Sequence, residues 1–355
     1  MNILNYAENK KESFEQSPFN RVDAVILCWV SYYTFPDYLK GEKSVALKDF
    51  GEYGLLPDKR MYAEAFNPRK SKKLFRLLEK NPRYENLEFC DYCDERDEKQ
   101  EKQFAAVCIK ISENKYFIAF RGTDPSFTGW KEDFNLACQY PVPSQKSAAE
   151  YLKTQMMKFP DGEFYCGGHS KGGNIAVYSA VYSDKKLQDR IIGVFNFDGP
   201  GFINDVYSES GYENVSDKII KIVPQSSFVG MLLETRDCYE IVKSRNLSIL
   251  QHDPFSWTIK DDDYVYLKDR SKFSIRLEKA INKWLNEIPV PERTRMIKMV
   301  YGAITALGMR DINEFNRTLY KQIPALYKRY KNLGQEDKIF FDEKIARLKQ
   351  LFDNQ

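Results

Sequence analysis

The sequence predicts an α/β fold: a mostly parallel central sheet flanked by helices, with a helical extension after it. Three observations predict it. Short β-rich runs alternate with helical runs from Phe104 onward, the pattern of βαβ units. The pentapeptide Gly168-His169-Ser170-Lys171-Gly172 stands between one such strand and one such helix. After Arg270 the strand signals stop and only helical periodicity continues.

In chain order, Asp23 to Tyr33 reads as an apolar helix and Val45 to Asp49 begins a polar connection. Residues 68 to 80 have Leu74, Leu77 and Leu78 at helical spacing among lysines and arginines. Residues 91 to 102 are charge-rich and read as a solvated loop. Phe104 to Ile111 and Tyr116 to Arg121 flank a short polar turn and predict a hairpin. A helix is expected over Ala148 to Phe159, a strand over Glu163 to Cys166 and a helix over Asn174 to Tyr182. Ile191 to Phe197 and Lys218 to Val223 are near-continuous apolar runs of the kind that form buried parallel strands. Cys238 to Val242 and Tyr264 to Leu267 are shorter strand candidates. Residues 272 to 288, 291 to 307, 311 to 331 and 335 to 352 carry helical periodicity, divided by Pro289, Pro291, Gly308 and Gly334. This predicts a polar N-terminal segment (1–20), an α/β domain (21–270) and a C-terminal helical extension (271–355) that packs on the sheet or stands apart.

Composition narrows the function. With 355 residues, 43% hydrophobic and 30% charged, the chain is long enough for a sizeable core. A net charge of +3 gives no argument for nucleic acid or for an anionic membrane surface. No apolar run approaches the ~20 residues of a spanning helix. Met1 to Phe19 lacks the apolar stretch of a signal peptide, and seven cysteines is an odd count. Together these predict a reducing, cytoplasmic setting. Cys90-Asp91-Tyr92-Cys93 has no second cysteine pair for zinc, and its acidic neighbours disfavour a thiolate. No metal and no cofactor are expected.

A serine hydroxyl is a poor nucleophile until a base removes its proton, and it must project from the backbone to reach a carbonyl. A Gly-x-Ser-x-Gly turn between strand and helix achieves the projection, and the helix start aims its amides at a developing oxyanion. Here Phe164-Tyr165-Cys166 precede the turn and Gly173 to Tyr178 follow it. Only two histidines exist. His169 adjoins Ser170, where its side chain supports the turn, so the base is expected to be His252, 82 positions after Ser170. The acid ranked first is Asp198, directly after the strand Ile191 to Phe197, because functional groups of open α/β sheets gather at strand C-termini. Its bland reading is a turn aspartate before Gly199-Pro200. Asp253, adjacent to His252, and Asp237, in an irregular stretch, are the rivals. For the oxyanion, the amide of Lys171 needs a second donor, and Thr123, at the end of Phe120-Arg121-Gly122-Thr123, has an amide and a hydroxyl to offer.

Tyr116 to Thr123, followed by Trp130 and Asp133, resembles the fungal-type (class 3) lipases, as does Gly168-His169-Ser170-Lys171-Gly172-Gly173-Asn174. The form His-Ser-Lys-Gly-Gly-Asn, with Phe197-Asp198-Gly199-Pro200-Gly201 and Gln251-His252-Asp253-Pro254 downstream, resembles the bacterial Mbeg-like branch of the α/β-hydrolases. The resemblance covers roughly residues 20 to 270. It implies the α/β-hydrolase fold, Ser170 as nucleophile, Thr123 and the Lys171 amide as oxyanion hole, and an acyl-ester substrate. One departure matters. Class 3 lipases carry their acid after the strand that corresponds to Lys218 to Val223, where this chain reads Pro224-Gln225-Ser226-Ser227. Pancreatic-type lipases place it one strand earlier, which supports Asp198. Lys171 beside the nucleophile favours an anionic substrate or pairs with a neighbouring acid.

The expected function is a serine hydrolase acting on a small-molecule or lipid ester through Ser170, Asp198 and His252. The same residues would serve a thioesterase or an acyltransferase. A reading from another class is a catalytically silent hydrolase fold that binds partners through the helical extension. Residues 124 to 130 are placed where a flap would lie, and Phe228, Met231, Leu232 and Leu233 line an acyl pocket or belong to the core.

Overall fold

The computed structural model describes residues 1–354, apart from residues 42, 53–66, 204–205, 234–237 and 310. The elements in chain order are α1 (Ile3–Asn9), α2 (Arg21–Val30), β1 (Val45–Ala46), α3 (Pro68–Glu79), β2 (Glu88–Asp97), β3 (Lys102–Ser112), β4 (Lys115–Phe120), α4 (Phe127–Asn135) and α5 (Pro143–Lys158). Then come β5 (Glu163–His169), α6 (Lys171–Val181), α7 (Lys185–Gln188), β6 (Ile191–Phe197), α8 (Ser210–Glu213), β7 (Ile219–Pro224) and β8 (Tyr239–Val242). Three two-residue strands follow, β9 (Ile259–Lys260), β10 (Asp263–Tyr264) and β11 (Tyr266–Leu267). Four helices end the chain: α9 (Lys272–Glu287), α10 (Val290–Thr305), α11 (Ile312–Lys331) and α12 (Gln335–Asp353).

Nine strands form one sheet in the order β1-β2-β3-β4-β5-β6-β7-β8-β11, while β9 and β10 pair separately. From β4 to β8 every neighbour is parallel; the pairs outside that centre are antiparallel. This is the expected α/β-hydrolase architecture.

The alternation of side chains across the sheet explains its two apolar layers. Val107, Ile109, Phe117, Ala119, Phe195 and Phe197 face one layer with α2, whose residues Val22 to Val30 are all buried. Ala106, Cys108, Ile118, Phe120, Cys166 and Val194 face the other, against Leu152 and Met156 of α5 and Ile175 to Val177 of α6. A helix apolar all round is stable only when covered on all sides, and α2 is. The one buried charge within it, Asp23, is held by Arg83 at 2.6 Å and by the Tyr84 hydroxyl at 2.7 Å. Ile3, Tyr6 and Ala7 of α1 are buried in the same layer.

The expected loop over 91–102 is corrected: most of it is β2, paired with β3. Its charges are satisfied sideways, Asp94 by Arg121 and Glu95 by Lys102, while Phe89, Cys90 and Tyr92 turn inward. Cys90 and Cys93 lie on this strand, and burial with Glu95 alongside pushes the Cys93 thiol up to about 12. All seven cysteines are free. Among the described residues no helix is long and apolar enough to cross a membrane, and no cluster of metal-ligating side chains is present.

Candidate active site

Register places the C-terminal ends of four parallel strands side by side: Phe120 of β4 is level with Gly168 of β5, His169 with Phe197 of β6, and Phe197 with Ile222 of β7. Ser170 and Asp198 are each the first residue past their strands, and Thr123 is the third past β4. The open edge of the sheet therefore collects the candidate residues at one place.

Ser170 takes φ +60° and ψ −133°, a conformation costly for a residue with a Cβ. The turn is tight enough that a Cβ on Gly168 would collide with the backbone of Gly172, and one on Gly172 with the carbonyl of Phe120. The two glycines are there for close approach. Lys171 opens α6, so its amide is among the first four of the helix, which have no acceptor inside it.

Asp198 and His252 are joined. His252 Nδ1 lies 2.7 Å from Asp198 Oδ2, the aspartate side chain 1% exposed and the imidazole 25%. Asp198 also accepts from Ser227 Oγ at 2.5 Å, and its amide donates to the carbonyl of Ile222. Ser227 lies in the segment where a carboxylate was missing from the sequence; it supplies a hydrogen bond to the acid of the neighbouring strand instead. Asp253 is engaged elsewhere, accepting from Asn67 at 2.8 Å and Lys70 at 3.0 Å. Asp237 lies outside the described residues. Among the described residues no hydrogen bond joins Ser170 Oγ to His252; catalytic hydrogen bonds often close only with substrate.

His169 supports the turn, as expected, and does more. Its Nε2–H donates to the His252 carbonyl at 2.7 Å, and its Nδ1 accepts from the Tyr32 hydroxyl at 3.1 Å. These partners select the neutral ring, and burial, with His252 nearby, holds its pKa well below the usual histidine value. The two imidazoles lie 4.4 Å apart, centre to centre. His169 thus ties the serine turn to the loop of His252.

Thr123 is buried, and its hydroxyl lies 2.5 Å from both oxygens of Asp133. Its proton is directed at that carboxylate, so of the two donors expected of Thr123 only the amide is not committed to Asp133. Burial pushes the Asp133 carboxyl up to about 6, against the pull of the Lys171 charge. The Lys171 ammonium, 1% exposed, donates to Glu132 at 2.7 Å and to the backbone and side-chain carbonyls of Gln103 at 2.7 and 2.9 Å. The cation pairs with an acid and is turned away from solvent.

Residues 124–130 run into α4, which carries both Glu132 and Asp133, and α10 packs on its outer side through Tyr301 against Phe127 and Lys131. Met231 and Leu233 are buried in small apolar clusters, Leu233 with Leu136 and Val142.

Comparison with known proteins adds a family. A family model described as Mbeg1-like matches residues 78–302, more than half of the chain. Among solved structures the chain is similar to a Rhizomucor miehei lipase in its propeptide complex (15% identity, 47% of this chain and 68% of that one, TM-score 0.36). It is also similar to the Lip2 lipase from Yarrowia lipolytica (11% identity, 62% and 76%, TM-score 0.35). A third is the lipase from Rhizopus microsporus var. chinensis (14% identity, 68% and 90%, TM-score 0.33). No curated protein matches the sequence.

Proposed function

The chain belongs to the Mbeg1-like family, and we propose that it is a serine hydrolase that cleaves a carboxylic ester. The observation that carries this reading is the 2.7 Å pairing of the buried Asp198 with His252, with Asp198 and a serine held at positive φ each directly past the ends of neighbouring parallel strands. A strained serine in a Gly-x-Ser-x-Gly turn, in the same site as an aspartate-oriented imidazole, is costly to build for stability alone.

In this mechanism Ser170 Oγ attacks the carbonyl carbon and its proton passes to His252 Nε2. Asp198 keeps Nδ1 protonated, so that Nε2 is free to accept, and stabilises the imidazolium that forms. The amides of Thr123 and Lys171 receive the oxyanion. The imidazolium then protonates the leaving alcohol, and water, deprotonated by the same ring, releases the acid from Ser170. No step calls on a metal or a cofactor.

The test is labelling by a fluorophosphonate probe. The wild type should label, and Ser170→Ala should not, with an unchanged melting temperature. Equal labelling of the variant would remove Ser170 from the mechanism. A wild type inert to every serine-directed probe would favour the silent binding module.

A further inference from the structure

The residues leading into His252 present an unusual surface. Leu247, Ile249 and Leu250 are 78%, 58% and 66% exposed, the first capping and the other two within a short 3-10 turn over Ser248–His252. Scattered single apolar residues at a surface are ordinary; three within four positions at the rim of a candidate active site are not. The turn is held rigidly from beneath. Gln251 accepts from the Ser226 amide at 2.7 Å and its own carbonyl accepts from Trp257 Nε1 at 2.8 Å. The apolar side chains therefore point outward from a fixed base.

The charge around this knuckle is one-sided. Asn67 and Lys70, in the first turn of α3, are bonded to Asp253, which fixes that helix beside it. Ser71, Leu74, Phe75 and Leu78 bury one face of α3 and leave Arg69, Lys72, Lys73 and Arg76 exposed on the other. Lys243 and Arg245 are exposed just before the knuckle. Segments 67–76 and 243–253 together hold seven Lys and Arg but a single acid, Asp253, in a chain whose net charge is only +3. That acid is already neutralised by Lys70.

We propose that this face docks on an anionic phospholipid bilayer, with Leu247, Ile249 and Leu250 entering the acyl boundary and the basic residues of α3 and of segment 243–245 lying at the headgroups. Exposed apolar residues between two basic segments are the combination that an anionic membrane surface rewards, and a neutral protein surface does not. Docking there would bring His252 close to the lipid. That the ester is then one presented at the bilayer surface rests on the hydrolase reading; the binding itself does not.

The experiment is flotation of the full-length protein with vesicles of phosphatidylcholine alone or mixed with phosphatidylglycerol. The wild type should float with the anionic vesicles and be released by salt. Leu247→Gln/Ile249→Gln/Leu250→Gln, all solvent-exposed changes, should weaken binding about a hundredfold or more. Lys72→Gln/Lys73→Gln should weaken it about twentyfold on anionic vesicles. A wild type that leaves anionic vesicles unbound overturns the proposal, as does a triple variant that binds as tightly. Self-association of the wild type that the triple variant abolishes, without vesicle binding, assigns the face to a second copy of the chain and also overturns it. Ser170→Ala should float like the wild type. Vesicle binding without probe labelling would sink the hydrolase and leave the docking surface standing; labelling without vesicle binding would do the reverse.

Discussion

Replacing Lys171 by methionine removes one charge from a pair closed off from water and leaves the other in place. Lys171 Nζ and Glu132 Oε2 are 2.7 Å apart, with the side chains 1% and 0% exposed. At an effective dielectric of 20 the attraction is about 6 kcal/mol. Loss of the lysine also removes its own desolvation cost, so the net penalty is about 3–5 kcal/mol, the usual cost of orphaning a buried charge. Two carbonyl groups of Gln103 each lose a charged donor as well. Glu132→Gln makes the partner neutral, but its carboxylate accepts from the backbone amides of Gln103 and Ser144, and a carboxamide cannot serve both. That variant should cost about 2–3 kcal/mol. The double variant should be better than the sum by about 2 kcal/mol, because no charge is then left buried. The measurement is a double-mutant cycle on denaturant midpoints at constant slope. Fluorophosphonate labelling of Lys171→Met should slow by about tenfold to a hundredfold, since the pair positions both the Lys171 amide and the helix that holds Asp133. A cost below about 1 kcal/mol, the size expected of an exposed pair, or strict additivity, would refute the reasoning.

Asp198→Asn should keep the fold and lower the labelling rate and esterase kcat by about 10³–10⁴, by presenting the wrong tautomer of His252 to Ser170; a loss under tenfold would take Asp198 out of the triad. Asp133 has a folded pKa of about 6, above its ordinary 3.8, so the folded state holds that proton more tightly. Its contribution to stability therefore falls as pH rises from about 4 to about 6 and is level above. Asp133→Asn should gain in melting temperature relative to the wild type across that window, and a difference that does not vary with pH would refute this. His169 acts with the opposite sign. Its folded pKa is depressed, so its contribution is complete above about pH 6.5 and is lost as pH falls below it. His169→Gln, which can keep a donor to the His252 carbonyl, should narrow its deficit against the wild type as the solution is acidified; a deficit that widens would show that the buried ring does not resist protonation.

What was legible in the sequence was whatever a single segment or a count could carry. The turn at Ser170 needed only its glycines and the strand and helix on either side. His252 followed from there being two histidines, and Asp198 from its place at a strand end. What was not legible depends on partners distant in sequence. Thr123 and Asp133 stand ten residues apart, Glu132 and Lys171 thirty-nine, and nothing in either segment announces its partner. The strand β2 was hidden for a related reason. Its acids looked solvated, because the cations that pair with Asp94 and Glu95 come from β3 and from the end of β4. The near-balanced total charge concealed a locally basic face in the same way, by averaging over elements that the fold keeps apart.

On the serine-hydrolase reading, helix α4 is the element whose movement would have to be weighed for substrate access to Ser170. Its position after Thr123 suggested a flap, yet it carries three attachments at once. Glu132 holds the Lys171 ammonium, Asp133 holds the Thr123 hydroxyl, and the outer side bears Tyr301 of α10. Arg293 of α10 adds a hydrogen bond to the carbonyl of Ala137, just past the helix. Swinging α4 aside would part a buried ion pair and strand both charges, at a cost of about 4 kcal/mol, which leaves about one molecule in a thousand open. The same movement would carry Asp133 away from Thr123 and so, on the proposed mechanism, disturb the oxyanion donor. Entry by way of α4 would therefore work against the proposed chemistry. The loop of His252 is constrained differently: it is held from below by Gln251 and His169 while its outer residues, Leu247 to Leu250, touch solvent. In the serine-hydrolase reading, an approach across that rim would meet His252, whose imidazole is 25% exposed, without parting the Lys171–Glu132 pair.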